Sequence, residues 1–266
     1  MRRSLPVVGA MIWLAACQQS LEPQTSSFAD LRPIEGQIVL GSASVGGAIR
    51  REIWKQRAYS RYGDQLQITT ATEARISVSR KGGTVFMQVA FTEADVDFDN
   101  MPGGEDTYYV DVRNLKGTSL DIEYNAHTGA TLVSLEQHGV PYELVGHRTH
   151  ELGKQLAREH FGGLIVRQGR KLPRLFIGTF SVPGEPEIDL FVSGTVRGET
   201  MLDGRRIVVV MVDDVATLFG NTVEVAGHLY LDLASGLSIS SDFVVSGIRY
   251  GGGSNEFDIR RDLAIK

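Results

Sequence analysis

The sequence predicts a mainly β protein: a large antiparallel curved sheet or open barrel with one or two covering helices. Three observations carry that expectation. From Ala74 onward, β-branched, aromatic and other apolar residues recur at period two, the spacing that turns one face of a strand toward a core. Turn-forming pairs such as Gly82-Gly83 and Asp203-Gly204 separate these runs at hairpin distances. A single segment in this region, residues 149–161, changes to helical spacing, with Leu152, Leu156, Ala157 and Phe161 on one face and Gly162-Gly163 as its stop.

The chain starts with Arg2 and Arg3, continues as an apolar run from Leu5 to Ala16, and reaches Leu14-Ala15-Ala16-Cys17. A charged start, a short apolar segment and small residues before a cysteine are the marks of an export signal; crossing a bilayer would need about 18 or more apolar residues. This start resembles that of bacterial lipoproteins. The resemblance implies a signal peptide at 1–16, cleavage before Cys17, a diacylglycerol on the Cys17 thiol and an acyl chain such as palmitate on its new amino group. Two or three acyl chains hold a protein on a membrane where one would be marginal. Gln18 stands where an aspartate favours inner-membrane retention in that class, so the resemblance implies the outer membrane. Cys17 is also the one cysteine in the sequence, so no disulfide forms within the chain.

Residues 17–33 then read as a lipidated polar tether, since Gln18 to Asp30 (QQSLEPQTSSFAD) offers little to bury. Residues 34–266 read as a β-rich periplasmic domain, with possible halves 34–146 and 164–266 joined by the helix 149–161. Without Arg2 and Arg3 the chain carries 25 basic against 32 acidic side chains, a net charge of −7 with histidine neutral. A mildly acidic domain without a basic stripe excludes nucleic acid as a partner.

Ile38 to Ala48 is glycine-rich and reads as a first strand with a loose continuation. Ile49, Ile53, Trp54, Ala58, Tyr59 and Tyr62 then recur at near-helical spacing, which predicts a short amphipathic helix with Arg50, Arg51, Lys55 and Arg57 outside, ended by Gly63-Asp64. Strands are expected near 74–79, 84–91, 107–112, 118–125 and 131–136, and again near 174–181, 187–197, 205–215, 223–233, 237–246 and 256–265. Two turns share local chemistry 107 residues apart: Tyr124 to Gly129 and Leu231 to Gly236. In each, Asn or Asp accepts backbone hydrogen bonds and Gly supplies a positive φ. That likeness fits either an internal duplication or the convergence of tight hairpins.

The most pointed chemical feature is the acidic run Glu93 to Asp106. Asp95, Asp97, Asp99 and Asp106 occupy positions one, three, five and twelve of a calcium-loop spacing, and oxygen ligands so spaced can wrap a hard cation weakly. The run lacks the usual glycine and the terminal glutamate. Its competing reading is a strand with Ala94, Val96 and Phe98 inward and four acids outward. His147, His150 and His160 do not match a metalloprotease spacing. Gly41 to Gly46 lacks a nucleophile elbow, and the loop Gly251 to Asn255 has no helix start behind it to hold a phosphate.

The expected function is a non-catalytic binding or envelope-assembly module, with an apolar ligand or an envelope protein as its partner and no cofactor beyond weakly held calcium. In architecture alone this resembles the half-barrel lipoprotein carriers. The alternatives are a metal-dependent envelope hydrolase and a purely structural subunit of an envelope complex. The run Ile207 to Val212 is apolar on both faces, so something must cover each side, and the helix 149–161 is the expected cover.

Overall fold

The computed structural model describes residues 31–59, 65–99, 112–125, 131–136, 156–180, 187–250 and 253–265. The chain divides into Met1–Leu31 and Arg32–Lys266, and the fold described below is that of the second unit. Residues 1–16, Cys17 and most of the tether lie outside the described residues.

The fold is mainly β. Strands β2 (Val45–Tyr59), β3 (Gln65–Lys81), β4 (Thr84–Asp99), β5 (Ser119–Asn125) and β6 (Thr131–Glu136) form one meander. A second meander comprises β8 (Lys171–Phe180), β9 (Ile188–Leu202), β10 (Arg205–Leu218), β11 (Asn221–Asp232), β12 (Ser238–Tyr250) and β13 (Gly253–Ala264). The two join edge to edge through β2 and β13, giving a single antiparallel sheet of 11 strands in the order β6-β5-β4-β3-β2-β13-β12-β11-β10-β9-β8. Outside it, β1 (Ile38–Val39) and β7 (Ile165–Val166) form a two-stranded ribbon. Described helix is confined to short stretches at 112–113 and 156–158.

Alternation explains most of the strands. Val85, Met87 and Val89 point inward on β4, and Val208, Val210 and Val212 do so on β10. The turn Leu231 to Gly236 forms as its residues require: the buried Asp232 carboxylate accepts from the Ser235 N–H (3.0 Å) and hydroxyl (2.5 Å), and Gly236 closes the loop at φ +70°. A side chain at Gly236 would also run into Gly162 Cα at 2.6 Å and the Gly41 carbonyl oxygen at 2.7 Å. Its earlier counterpart, Tyr124 to Gly129, lies partly outside the described residues.

Three expectations are corrected. The helix read over residues 49–62 is strand β2 as far as Tyr59, because Ala48, Arg50, Glu52 and Trp54 share its inward face while Arg51 faces out. Two of those inward residues are charged, which disguised a period-two strand as a helix with a basic face. The first strand read over 38–48 is broken into the ribbon strand β1 and the start of β2. In the third case, Val112, expected to end a strand at 107–112, begins a helical turn; residues 107–111 lie outside the described set.

The inward face carries two apolar clusters. One lies along β8–β13 and includes Leu190, Val210, Leu231, Phe243 and Ile259; the other lies along β2–β5 and includes Val45, Ile76, Met87 and Ile122. Ala48 belongs to the second and Trp54 packs on the first, so both clusters sit on the same face of β2. In a flat sheet β2 and β8, six strand steps apart, would be separated by about 29 Å. Instead the Trp54 indole packs 5.4 Å from the Phe180 ring and against Gly178 of β8, and Phe257 closes the aromatic group at 5.1 Å from Phe180. The second meander is therefore strongly curved, with its far edge brought back over β2.

The segment after Arg32 caps this curved part. Arg32 exchanges backbone hydrogen bonds with Glu199, Leu40 donates to the Leu164 carbonyl, and Gly41 donates to the Leu233 carbonyl. Ile34, Leu40 and Val166 consequently join the β8–β13 cluster, which contains Val208, Val210 and Val212. Those three residues are thus covered by the capping segment and its neighbours. Within the described part of 149–161, Phe161 packs on this cluster, whereas Leu156 and Ala157 belong to the other.

A Cβ added at Gly178 would overlap the Trp54 indole. Gly178→Ala is expected to lower the unfolding free energy by about 1–3 kcal/mol, read from the denaturant midpoint at unchanged m-value. An unchanged midpoint would mean that the β8 edge does not close onto Trp54.

Candidate functional site

Where the two meanders meet, the inward face is charged. Glu52 on β2 and Arg261 on β13 are direct cross-strand partners, and Arg50 stands one inward position along from Glu52. All three are buried. Glu159, from the connection that precedes β7, completes the group by accepting two hydrogen bonds from Arg50 at 2.9 Å each. Arg50 also lies 2.5 Å from Glu52, and Arg261 Nε lies 3.5 Å from both carboxylates. Trp54 Nε1 donates to Glu52, and the Arg261 guanidinium donates to the Ile177 carbonyl of β8 at 2.6 Å. Arg261 further rests over the Trp54 ring, 5.7 Å from its centroid.

This quartet is charge-neutral, with two guanidinium groups and two carboxylates, which is how four buried charges can be tolerated. Burial would by itself push the Glu52 carboxyl up, but the Arg50 and Arg261 charges and the Trp54 and Arg50 hydrogen bonds outweigh it and hold its pKa at about 2. Burial opposes the Arg50 charge in the same way, and Glu159 and Glu52 override it, so Arg50 is held above its usual range. Groups locked in this way do not exchange protons near neutrality. The arrangement is suited to joining structural elements and holding register.

Next to the quartet, His160 bridges to Leu237, and the Phe161 N–H donates to the Gly236 carbonyl (2.7 Å). Burial, reinforced by the charge of Arg80, depresses the His160 pKa to about 4. Farther along the same connection, Arg158 is paired with Asp189 and lies over the rings of Phe176 and Phe191, 5.4 and 5.6 Å from their centroids.

Asp95, Asp97 and Asp99 do not converge. They occupy successive outward positions of β4, about 6.6 Å apart along the strand, with Glu93 in the same exposed set and Val96 buried on the other face. That is the competing strand reading of the acidic run. Arg113 approaches Asp95 at 3.9 Å and Lys116 pairs with Glu93 at 2.6 Å. Asp106, His147 and His150 lie outside the described residues. Among the described residues, no group of three or more His, Cys, Asp and Glu side chains is placed to hold a metal.

The sequence reading missed the quartet altogether. Its one local signal was the alternation Ala48, Arg50, Glu52, Trp54, which acquires meaning only when Glu159, 109 residues beyond Arg50, and Arg261 are brought beside it.

No protein-family model and no curated protein matches the chain. Among solved structures, a LolA superfamily protein from Nitrosomonas europaea aligns with 10% identity and a TM-score of 0.22, over 83% of this chain and 86% of that one. A second Nitrosomonas europaea structure, provisionally assigned as AttH, aligns with 12% identity and a TM-score of 0.16, over 81% of this chain and 92% of that one. Likenesses at this level establish neither a family nor a function.

Removing one member of the quartet leaves an uncompensated buried charge. Glu52→Gln is expected to cost about 3–5 kcal/mol of stability, measured by denaturant unfolding at pH 7. A cost below about 1 kcal/mol would place these charges in contact with water. The pH profile should show two windows. His160 is depressed from 6.5 to about 4, so its contribution is complete above pH 6.5 and is lost as pH falls toward 4; Glu52 contributes fully above pH 4.5 and loses its contribution toward pH 2. His160→Gln should flatten the upper window, which is worth about 3 kcal/mol, and leave the lower one in place.

Proposed function

We propose that this chain is a lipoprotein held on the bacterial envelope through Cys17, more specifically on the periplasmic side of the outer membrane, and that it is a non-catalytic module that binds an apolar ligand or an envelope partner. The observation that carries the reading is the form of the inward face. One strongly curved sheet carries two extended apolar clusters on the same side, divided by a neutral row of ion-paired charges. These clusters are buried in the structure, so a greasy ligand or a partner's apolar segment would take the place of the segments that cover them. The charges on that face are engaged with one another, which suits a scaffold better than acid–base chemistry. The signal-like start and Cys17 supply the address, and a permanent anchor suits a component that works at the membrane.

Labelled palmitate should enter the wild-type chain in cells and fail to enter Cys17→Ala, which should accumulate uncut. Equal labelling of both would refute the anchor. Mass spectrometry of wild-type protein extracted gently from membranes should find a copurifying lipid or envelope protein. An apolar fluorescent probe should bind the purified protein saturably and be displaced by that lipid. If nothing copurifies and the probe binds without saturation, the binding reading fails.

A further inference from the structure

The β1–β7 ribbon presents two faces of opposite character. Val166 is wholly buried and Ile38 packs on the β8–β13 cluster, which accounts for one face. On the other, the directly paired Val39 and Ile165 are 58% and 40% exposed. Because the two residues are cross-strand partners, their exposed aliphatic surfaces are contiguous.

Cations surround this aliphatic pair. Residues 165–174 read IVRQGRKLPR, with four cations and no acid in a chain whose net charge is −5. Arg170 donates to the Ile165 carbonyl at 2.9 Å, which holds its guanidinium beside the exposed isoleucine. Arg167 and Lys171 are exposed, and no side-chain hydrogen bond or salt bridge engages them among the described residues. The Arg167–Arg170 turn is rigidly placed: Gln168 accepts from the Ile34 N–H (3.1 Å) and donates to the Arg197 carbonyl (2.8 Å), while the Gly169 N–H donates to Val196. Of the acids on neighbouring strands, Asp214 on β10 interacts electrostatically with Lys171, and Glu199 on β9 is paired with Arg206.

The ribbon also lies close in sequence to Arg32, where the second unit begins. Arg32 is fastened to Glu199, and only six residues separate it from Val39. In the other direction lies Cys17, and the fifteen steps between Cys17 and Arg32 span at most about 50 Å.

From the aliphatic pair, its cationic rim and its short separation in sequence from Cys17, we infer that the β1–β7 ribbon and the Arg167–Lys171 turn form a membrane-facing surface that rests on the anionic headgroups of the bilayer holding Cys17. This inference depends on the anchoring reading. Val39 and Ile165 enter the headgroup boundary, while Arg167, Arg170 and Lys171 meet lipid phosphates with their alkyl stems against the apolar pair. Each cation near an anionic leaflet favours the docked state about fivefold. Neutralising two of them should therefore shift the docked-to-undocked ratio about 25-fold.

The test uses the full-length protein processed in cells and reconstituted into vesicles. A cysteine is introduced by Ile165→Cys, or by Val39→Cys if the first variant folds poorly, and is labelled with a thiol-reactive fluorophore; Leu132→Cys, on the opposite edge strand β6, serves as the control. Acylation consumes the Cys17 thiol, so unmodified wild type should take no label. In vesicles containing phosphatidylglycerol and a headgroup nitroxide lipid, the label at 165 should be quenched strongly and the one at 132 weakly. The difference should collapse in phosphatidylcholine vesicles, in 0.5 M NaCl, and in Arg167→Gln/Lys171→Gln protein with an unchanged melting temperature. Equal quenching at 165 and 132, or quenching at 165 that ignores lipid charge and the double substitution, would overturn the surface while leaving the anchor intact. A wild-type chain that takes the label has a free Cys17 thiol, which refutes the anchor and with it the role given to the ribbon.

Discussion

The fold depends on the ion-pair quartet at the β2–β13 seam. Within the 11-stranded sheet every other pairing joins strands that follow one another in the chain, but this one joins strands near its opposite ends. Hydrophobic matching alone specifies register weakly where both strands offer mixed residues. A one-residue slip would turn either Glu52 or Arg261 to the outward face and leave the other charge buried alone. The quartet thereby selects a single register, and through Glu159 it also fixes where the connection between the meanders crosses the sheet.

Closure of the curved meander is a consequence of the same contacts. Arg261 reaches across to the Ile177 carbonyl, and Trp54, hydrogen-bonded to Glu52, fills the space above Gly178. A larger residue at 178 would hold the β8 edge away, and an unpaired Arg261 would be too costly to bury. Charge pairing and aromatic packing at the seam therefore set the curvature that gives the sheet its apolar concave side. The capping segment from Arg32 to Ala43 then seals part of that side by main-chain bonds to Leu164, Leu233 and Ala234. These bonds satisfy backbone groups that would otherwise be stranded at the ends of long strands.

Much of the architecture was legible along the chain. The antiparallel character, the strands β5, β6 and β8 to β13, and the Asp232–Gly236 turn follow from alternation and turn chemistry, both of which are properties of neighbouring residues. The acidic run on β4 was legible too, once its alternation with Ala94 and Val96 was weighed against a loop. At β2 the reading failed because hydropathy treats Arg50 and Glu52 as surface residues, and a buried pair inverts that rule. The cationic, aliphatic ribbon was invisible for a related reason: Val39 and Ile165 look like ordinary strand residues until pairing shows that one face of each strand is already used.

The sequence by itself determined the strand periodicity, the tight turns, the single cysteine behind an apolar start and the mildly acidic balance, because each of these is encoded within a few residues. The tertiary structure alone decided the order of the strands in the sheet, the inward placement of Arg50, Glu52 and Arg261, and the curvature that follows from them. The physical reason is that a charge can be buried only beside its counter-charge. Apart from the Arg50–Glu52 pair, the counter-charges come from segments more than a hundred residues away, so no local pattern could show that the four would meet.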